Sequence, residues 1–573
     1  MQVRALHSRG YRNLEGTVEL CSPLAVLVGE NNAGKSNVVD ALRTVLEPEA
    51  GPRHRCWLRA EDFAHDGSGG DPLTGELELA VELSDLSAAE KGRMVTCLAA
   101  KAGADSAKIR LKARLGSDDR VITQWFGGDS EHADIERHAR SAVRFVYLHP
   151  LRDAAADLRP GRDNKLVGLV SALAPRGDAD REAIVAAAQT ANAALDVITA
   201  IVKARTEIAG RLDAMTGGGR FAQQSDLAFD DPRFDRVVGS LRAKIGELAA
   251  LEMRENGLGY NNLLYMAVLL AAIADHPHEE EPTLRVLLVE EPEAHLHPQL
   301  QELLMQFLEG QAVAHTQVVV TSHSPNFASS ARVERLTVLT KAGSGSPQAR
   351  VPGNFGLEEK QLRYLHRFLD VTKASLFFAR GVILVEGVAE QLLIPVLARR
   401  LGRPLAPSGV TVINVGGVAF PPFTELFAPE RLPYKLAVVS DGDRQSEVEE
   451  GLEGAATSLS PRAADLLGHA GDNVTVKLAE RTLEWDLAAT GNVEVMLQAL
   501  SGVKPRIGSA LKRELTGIEP REAANAILSK VADVKGRFAQ ELAALLEDET
   551  IDFTAPDYLK EAIAWVADEV PAE

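Results

Sequence analysis

GENNAGKS, residues 29–36, lies between an apolar, strand-like run, Leu24–Val28, and a helix-like segment, 37–46. Strand, glycine-rich loop and helix in that order make a phosphate-binding loop. The glycines let successive backbone N–H groups turn onto a phosphate, Lys35 reaches the terminal phosphates, and the Ser36 hydroxyl suits Mg²⁺. Gly29, Asn31, Asn32, Gly34, Lys35 and Ser36 are therefore the expected nucleotide contacts, with ATP as the expected ligand. An α/β fold follows, because such a loop needs a sheet edge to present it.

Two further strand ends supply the rest of an ATP-hydrolysing centre. LRVLLVEEPEAHLHPQL, residues 284–300, reads as a strand over 286–289 that ends in Glu290 and Glu291. One carboxylate there can hold Mg²⁺ through water, and the next can orient or deprotonate the attacking water. A strand over 317–320 ends in TSHSP, which brings His323 to the same sheet edge. An imidazole in that place hydrogen-bonds a γ-phosphate and registers its departure. ENGLGYNNLLYMAVLLAAI, residues 255–273, sets a glycine turn at the head of an apolar helix. The N–H dipoles of such a helix start suit a phosphate, so Gly257, Gly259 and Asn261 join the candidates.

Around these motifs the pattern changes twice. Strand-like stretches at 3–6, 17–20, 75–83 and 109–115 predict a β-rich lobe beside the nucleotide. VRFVYLHPLRD, residues 143–153, reads as a core strand that delivers Arg152 and Asp153 toward the nucleotide edge. From 164 to 251 the chain is alanine-rich with apolar residues three and four apart, which predicts a helical hairpin or arm interrupting the ATPase. Such an insertion serves either as a dimerisation or partner-binding element or as a helical cap on its own domain.

With 573 residues, two to four folding units are expected. The formal net charge of −19 argues against nonspecific wrapping of nucleic acid but leaves local basic patches open. Cys21, Cys56 and Cys97 form no CxxC pair, which argues against a zinc knuckle or a disulfide framework. The opening MQVRALHSRGYRNL lacks the apolar core of a signal peptide, and the longest apolar run, 263–274, is too short to span a bilayer. A cytoplasmic protein is expected, with no membrane partner.

A second chemistry begins after a Gly-, Ser- and Pro-rich loop near 342–356. GVILVEGVAEQLLIPVLARRL gives a strand, then Glu386, and a helix carrying Glu390. LAVVS, residues 436–440, ends in Asp441-Gly442-Asp443, and period-two geometry sends both aspartates to one side. VINVGGVAF supplies another strand and a glycine turn, and RTLEWDL brings Glu484 after a strand over 474–478. Acids gathered at neighbouring strand ends repel one another, and divalent metal resolves that conflict. Oxygen-only ligands suit Mg²⁺ or Mn²⁺, and two ions about 4 Å apart activate water and stabilise the leaving oxygen of a phosphodiester. Lys535 and Arg537 open what reads as the last apolar helix, placed either to neutralise phosphate or simply as a solvated helix start.

In this order the motifs resemble the OLD family, the overcoming-lysogenization-defect nucleases, which join an ABC-type ATPase to a C-terminal Toprim domain. The resemblance runs over nearly the whole chain through the loop at 29–36, LLVEEPEAHLHP, TSHSP, LVEGVAE, DGD, TLE and KGRFA. It implies an α/β fold with the ABC-type P-loop ATPase at 1–163 and 252–372, a dimerising helical insertion at 164–251, and a Toprim domain at 373–573. It also implies that Glu386, Glu390, Asp441, Asp443 and Glu484 bind metal, with Glu386 and Lys535 in catalysis. In the ATPase it implies that Glu290, Glu291 and His323 act on ATP, that the Gly257–Gly259 turn faces a nucleotide held by the opposite subunit, and that AHLHP crosses the dimer interface. DNA is the implied substrate and defence against phage the implied setting, as in the Gabija nuclease subunit, which shares the architecture. Glu290 stands where the family more often has Asp, and the glycine signature is loose, which suits ATP as a regulator more than a rapidly turned-over fuel. Two other readings remain: a DNA-binding ATPase clamp that does not cut, and a subunit of a defence complex that needs a helicase-like partner.

Overall fold

The computed structural model describes residues 1–21, 23–47, 58–65, 73–116, 120–131, 135, 137–150, 154–161, 164–217, 220–221, 223–245, 251–273, 284–313, 315–341, 346–417, 419–442 and 459–567. Two compact units emerge, one of 1–145, 286–293 and 298–573, the other of 146–285 and 294–297. The strands in chain order are β1 (Gln2–Tyr11), β2 (Leu14–Glu19), β3 (Leu24–Val28), β4 (Glu76–Ser84), β5 (Ala107–Leu115), β6 (Val121–Gly127) and β7 (Val143–Leu148). There follow β8 (Lys244–Ile245), β9 (Leu251–Glu252), β10 (Leu284–Glu290), β11 (Thr316–Thr321), β12 (Leu336–Thr340) and β13 (Gln348–Arg350). The last four are β14 (Gly381–Val385), β15 (Val410–Asn414), β16 (Lys435–Ser440) and β17 (Val474–Leu478).

The expected β-rich lobe is an antiparallel sheet in the order β2-β1-β4-β5-β6. Its outer strand β6 escaped the sequence pattern because it is only partly covered and carries polar Thr123 and Gln124 in its middle. The ATPase sheet runs β13-β12-β3-β11-β10-β7. β3 lies inside it, with β11 and β12 parallel on either side. All five β3 residues are buried, which is why it reads as a continuous apolar run rather than an alternating one. β7 is the edge strand of this sheet, not a core strand as its apolar run predicts. Only Val143 and Leu148 are buried, and the four residues between them are partly exposed. Arg152 and Asp153 lie outside the described residues.

The last sheet, β15-β14-β16-β17, is wholly parallel, so its four strands deliver their C-terminal ends to one edge. Helices Val388–Arg400, Leu483–Ala489, Lys535–Leu546 and Asp557–Val566 pack with it around Leu393, Leu397, Trp485, Phe538, Leu542 and Ile563. Asp557–Val566 corrects the expectation that the helix opened by Lys535 is the last. Leu559, Ile563 and Val566 repeat at four and three residues and are buried, but acidic flanks hide the period.

The second unit holds two 18-residue helices, Ala179–Asp196 and Thr199–Thr216, that meet at a 66° bend. In the stretch expected to form a helical hairpin or arm, 164–251, the two long helices are thus bent against each other. Neither long helix buries a single residue, while Leu195, Val197, Ile198, Val202, Ile208 and Met215 are exposed. One small core cluster of the unit, Ala174, Phe234 and Val238, has Ile184 and Val185 of the first long helix packed against it. Among the described residues no single helix is long and apolar enough to cross a membrane.

Candidate nucleotide and metal sites

β3 hands the chain to the loop at 29–36, and the helix Lys35–Leu46 starts inside it. Gly29 has φ 145°, and a Cβ there would stand 2.2 Å from the Leu339 carbonyl oxygen of β12, so only glycine fits. Gly34, at φ 88°, caps the helix in the left-handed region, and Asn32 adopts φ 63°. Lys35 is buried, and its Nζ donates to the carbonyls of Gly29 at 2.6 Å and Glu30 at 2.8 Å. Burial lowers its pKa to about 8 against the opposing charges of Glu291, Glu30 and Glu293. A buried ammonium held on its own loop is a ready partner for a polyphosphate, so the residues fit a nucleotide.

At the end of β10, Glu290 is buried, and Glu291 turns out at φ 43° with its N–H donating to Thr321 O at 3.0 Å. A glutamate in that left-handed region is strained, and such strain gathers at functional sites. His323 Nε2 lies 3.3 Å from Glu291 Oε1. Burial, then the charge of Lys35, lowers the imidazole's pKa, with Glu291 acting against them. Glu291, His323 and Lys35 thus converge as their motifs predict.

Sequence reasoning passed over Glu293. Its Oε1 accepts the Ser322 hydroxyl at 2.7 Å and the His323 N–H at 3.0 Å, which fixes the loop bearing the histidine. Burial raises its pKa, helped by the Glu291 charge. Its place two residues after Glu291 was the available signal. Gly257 and Gly259 belong to the second unit. A Cβ on Gly259 would meet the His295 carbonyl at 2.6 Å, so close packing against 294–297 already requires glycine there.

In the parallel sheet, Glu386 follows β14 and Asp441 follows β16, while Glu484 and Glu390 sit in the first turns of their helices. Glu386 Oε1 accepts the Ser440 hydroxyl, the Asp441 N–H at 3.0 Å and Arg462 Nη2 at 2.6 Å. Asp441 Oδ1 accepts the Leu483 N–H at 3.1 Å, joining β16 to the helix that bears Glu484. A Cβ on Gly442 would stand 2.2 Å from Ala479 O, so the DGD turn needs its glycine to lie against the end of β17. Burial, then the charges of Glu386 and Glu390, pushes Asp441 up to about 8. Glu390 is raised by burial and by Glu484 and Glu386. Glu484 is almost wholly buried, and its Oε2 pairs with Lys535 Nζ at 3.1 Å. Burial alone would lower the Lys535 pKa, but the charge and hydrogen bond of Glu484 together with the charges of Asp441 and Glu390 outweigh it, and the ammonium is raised.

Mutually repelling, partly or wholly buried carboxylates at one sheet edge, all of them oxygen donors, fit a hard divalent cation in kind. Among the described residues no three His, Cys, Asp or Glu side chains gather closely enough to enclose an ion, and Asp443 lies outside those residues. Ser440 and Arg462, which touch Glu386, escaped the sequence reading because they lie in no acidic motif. Tyr558, on the helix missed at the C-terminus, is pushed up by burial and by the charges of Asp486, Asp441, Glu390 and Glu484.

A P-loop ATPase followed by a Toprim domain is the class that this fold and these residues define, with nucleotide and divalent metal as its ligands. Residues 24–329, over half the chain, match the family described as AAA domain, putative AbiEii toxin, Type IV TA system. Residues 377–443 match the overcoming lysogenization defect protein-like TOPRIM domain. The chain belongs to that AAA-domain family and carries an OLD-like TOPRIM domain after it. Among its relatives, the uncharacterized protein YbjD of Escherichia coli K12 is 26% identical over 79% of this chain and 80% of its own length. The OLD nuclease of Thermus scotoductus is 23% identical over 73% of this chain and 78% of its own. Endonuclease GajA of Bacillus cereus is 22% identical over 55% of this chain, which spans 54% of that protein.

Proposed function

We propose that this chain is a metal-dependent DNA endonuclease whose cutting is regulated by its ATPase domain, acting in anti-phage defence. The observation that carries the reading is the convergence of Glu386, Glu390, Asp441 and Glu484 with Lys535 at one edge of a parallel sheet. Glu386, Glu390, Asp441, Asp443 and Glu484 would hold Mg²⁺ or Mn²⁺, which supplies an activated water and charge neutralisation for phosphodiester hydrolysis. Lys535 sits beside Glu484 and would neutralise the phosphate as charge builds on it. The names of GajA and the Thermus relative support this reading.

In the ATPase, Gly29, Asn31, Asn32, Gly34 and Lys35 would cradle ATP, with Ser36 and Glu290 serving its Mg²⁺. Glu291 would orient the attacking water and His323 would register the γ-phosphate. Gly257 and Gly259 would present their helix start to a nucleotide held by a second copy. The bent arm, with no buried residue on either long helix and an exposed apolar series, would dimerise the chain.

The deciding experiment incubates supercoiled and linear DNA with purified protein and Mg²⁺ or Mn²⁺, with and without ATP, beside Asp441→Ala. Metal-dependent cutting that vanishes in the variant is expected, and the ATP lanes give the sign of regulation. Folded, metal-loaded protein that leaves DNA intact, alone and with a helicase-like partner, refutes the reading and favours a clamp that binds without cutting.

A further inference from the structure

Arg462 touches the carboxylate cluster but has no part in the scheme above. It occupies the second position of the helix Pro461–Leu467 and donates from Nη2 to Glu386 Oε1 at 2.6 Å. That oxygen already accepts the Ser440 hydroxyl and the Asp441 N–H. Glu386 Oε1 thus has three donors, and the Ser440 hydroxyl and Asp441 N–H would still hold it if the guanidinium turned away. Its side chain is 36% exposed against 18% for Glu386, so it borders both the acid and solvent. Lys535, by contrast, pairs with Glu484.

We propose that Arg462 is a catalytic residue that binds the scissile phosphate, resting on Glu386 until divalent metal neutralises the acids and then turning onto a non-bridging phosphate oxygen. The proposal rests on the endonuclease reading. Without metal, the repelling acids draw the guanidinium in. Metal charge weakens that attraction, and the planar fork of an arginine matches phosphate oxygens better than it matches a carboxylate oxygen shared with two other donors. During hydrolysis the water oxygen forms the new P–O bond and gives a proton to solvent, while the P–O bond to the leaving sugar breaks and that sugar oxygen takes a proton from solvent. Arg462 exchanges no proton. It stabilises the charge that accumulates on the non-bridging oxygen, a contribution of about 10²–10³ in rate for one well-placed donor.

The competing role is positional. If Arg462 served only to orient Glu386, its loss would weaken metal binding about 10–100-fold, as for other groups that orient ligands. Full-length Arg462→Ala and Arg462→Lys separate the two. Mn²⁺ affinity is measured by calorimetry without nucleotide or DNA, and cleavage is measured across a Mn²⁺ titration. Phosphate binding predicts Mn²⁺ affinity within about threefold of wild type and a kcat roughly 100-fold lower in Arg462→Ala that saturating Mn²⁺ does not restore. Arg462→Lys recovers part of the rate, and it carries the test alone if the alanine variant does not fold. A tenfold or greater loss of Mn²⁺ affinity, or cleavage at the wild-type rate, overturns the proposal. If wild type itself does not cut, the endonuclease reading fails separately. A short DNA duplex in Ca²⁺ then tests Arg462: binding at least fivefold weaker in Arg462→Ala supports the phosphate contact, and weaker loss or none overturns it.

Discussion

Asp441→Asn isolates the electrostatic cost that the carboxylate cluster carries without metal. The side chain caps the Leu483 N–H at 3.1 Å, and an asparagine oxygen can accept the same bond, so the substitution removes charge while keeping the contact. Asp441 titrates at about 8 in the fold against 3.8 for an ordinary aspartate, because burial and then Glu386 and Glu390 disfavour its charge. The unfolded chain gives up this proton near pH 4, and the folded one near pH 8. Between those limits the folded state holds the extra proton, so stability falls as pH rises, with no further change from this group outside them. At about 1.4 kcal/mol per pH unit the ceiling is roughly 6 kcal/mol, and relaxation of a buried site with water entry brings the expectation to about 2–3 kcal/mol. For domains of 150–250 residues that is about 4–12 °C in melting temperature. The assay is thermal melting in EDTA from pH 5 to 9, followed domain by domain in a chain too large for a single two-state transition. Wild type and Asp441→Asn should melt closest together at pH 5 and separate upward, with the variant more stable by pH 8.5. Mg²⁺ should raise the wild type toward the variant at high pH. Parallel melting curves across the range would refute the reasoning, since they would mean that Asp441 ionises without strain.

Lys35→Ala should keep the fold but abolish ATP binding, and unchanged affinity by calorimetry contradicts the site. Burial lowers Lys35 to about 8, and a bound triphosphate would raise it again, so ATP binding at pH 8.5 should take up a proton. Apparent enthalpies that do not vary with the buffer's ionisation enthalpy exclude that. Replacing 179–216 with a short linker should give monomers in light scattering, and a dimer of unchanged subunit number removes the arm from the interface. Arg380 Nε holds Glu30 Oε2 of the phosphate loop at 2.7 Å, and Arg380 is largely exposed, so Arg380→Glu should cost no more than about 1 kcal/mol in stability. The same change should reduce the effect of ATP on cleavage several-fold, with Glu30→Arg restoring it in the double variant. An ATP response that ignores both changes rules out this route.

What the sequence disclosed follows from where the physics is local. β3 and β14 are short, continuous apolar runs because both faces of an interior parallel strand are covered, and each ends at its chemistry. Gly29 and Gly442 were legible only as members of their motifs, since the carbonyls that exclude any side chain there belong to Leu339 and Ala479, far along the chain. Groups that act across long sequence separations left no periodic trace. Arg462 reaches Glu386 over 76 residues, and Glu293 fixes the Ser322–His323 turn from 29 and 30 residues away. β7 misled because an apolar run also suits an edge strand that is half covered. The final helix was missed because charge at both ends outweighed a clear four-and-three apolar repeat.

The two sites hold opposite charges in tension, and the chain joins them mechanically. In the ATPase a buried ammonium rests on Gly29 and Glu30 carbonyls, which an incoming polyphosphate would take it from. In the Toprim domain buried carboxylates rest against Lys535 and Arg462, which incoming metal would release. Glu30 itself pairs with Arg380, and the next five residues are β14, every one of them buried, ending where Glu386 begins. A strand packed on both faces does not bend to absorb a displacement at one end, because close-packed interiors shift as units. A change in the Glu30 loop on ATP binding therefore has a stiff path of one strand's length to the carboxylate that Arg462 holds. By linkage the effect is reciprocal: if ATP alters metal affinity at Glu386, metal alters ATP affinity by the same factor, in the absence of DNA. The size of that coupling can be measured by calorimetry without DNA, and a metal affinity that ATP leaves unchanged would mean that ATP does not act on the carboxylates through this strand.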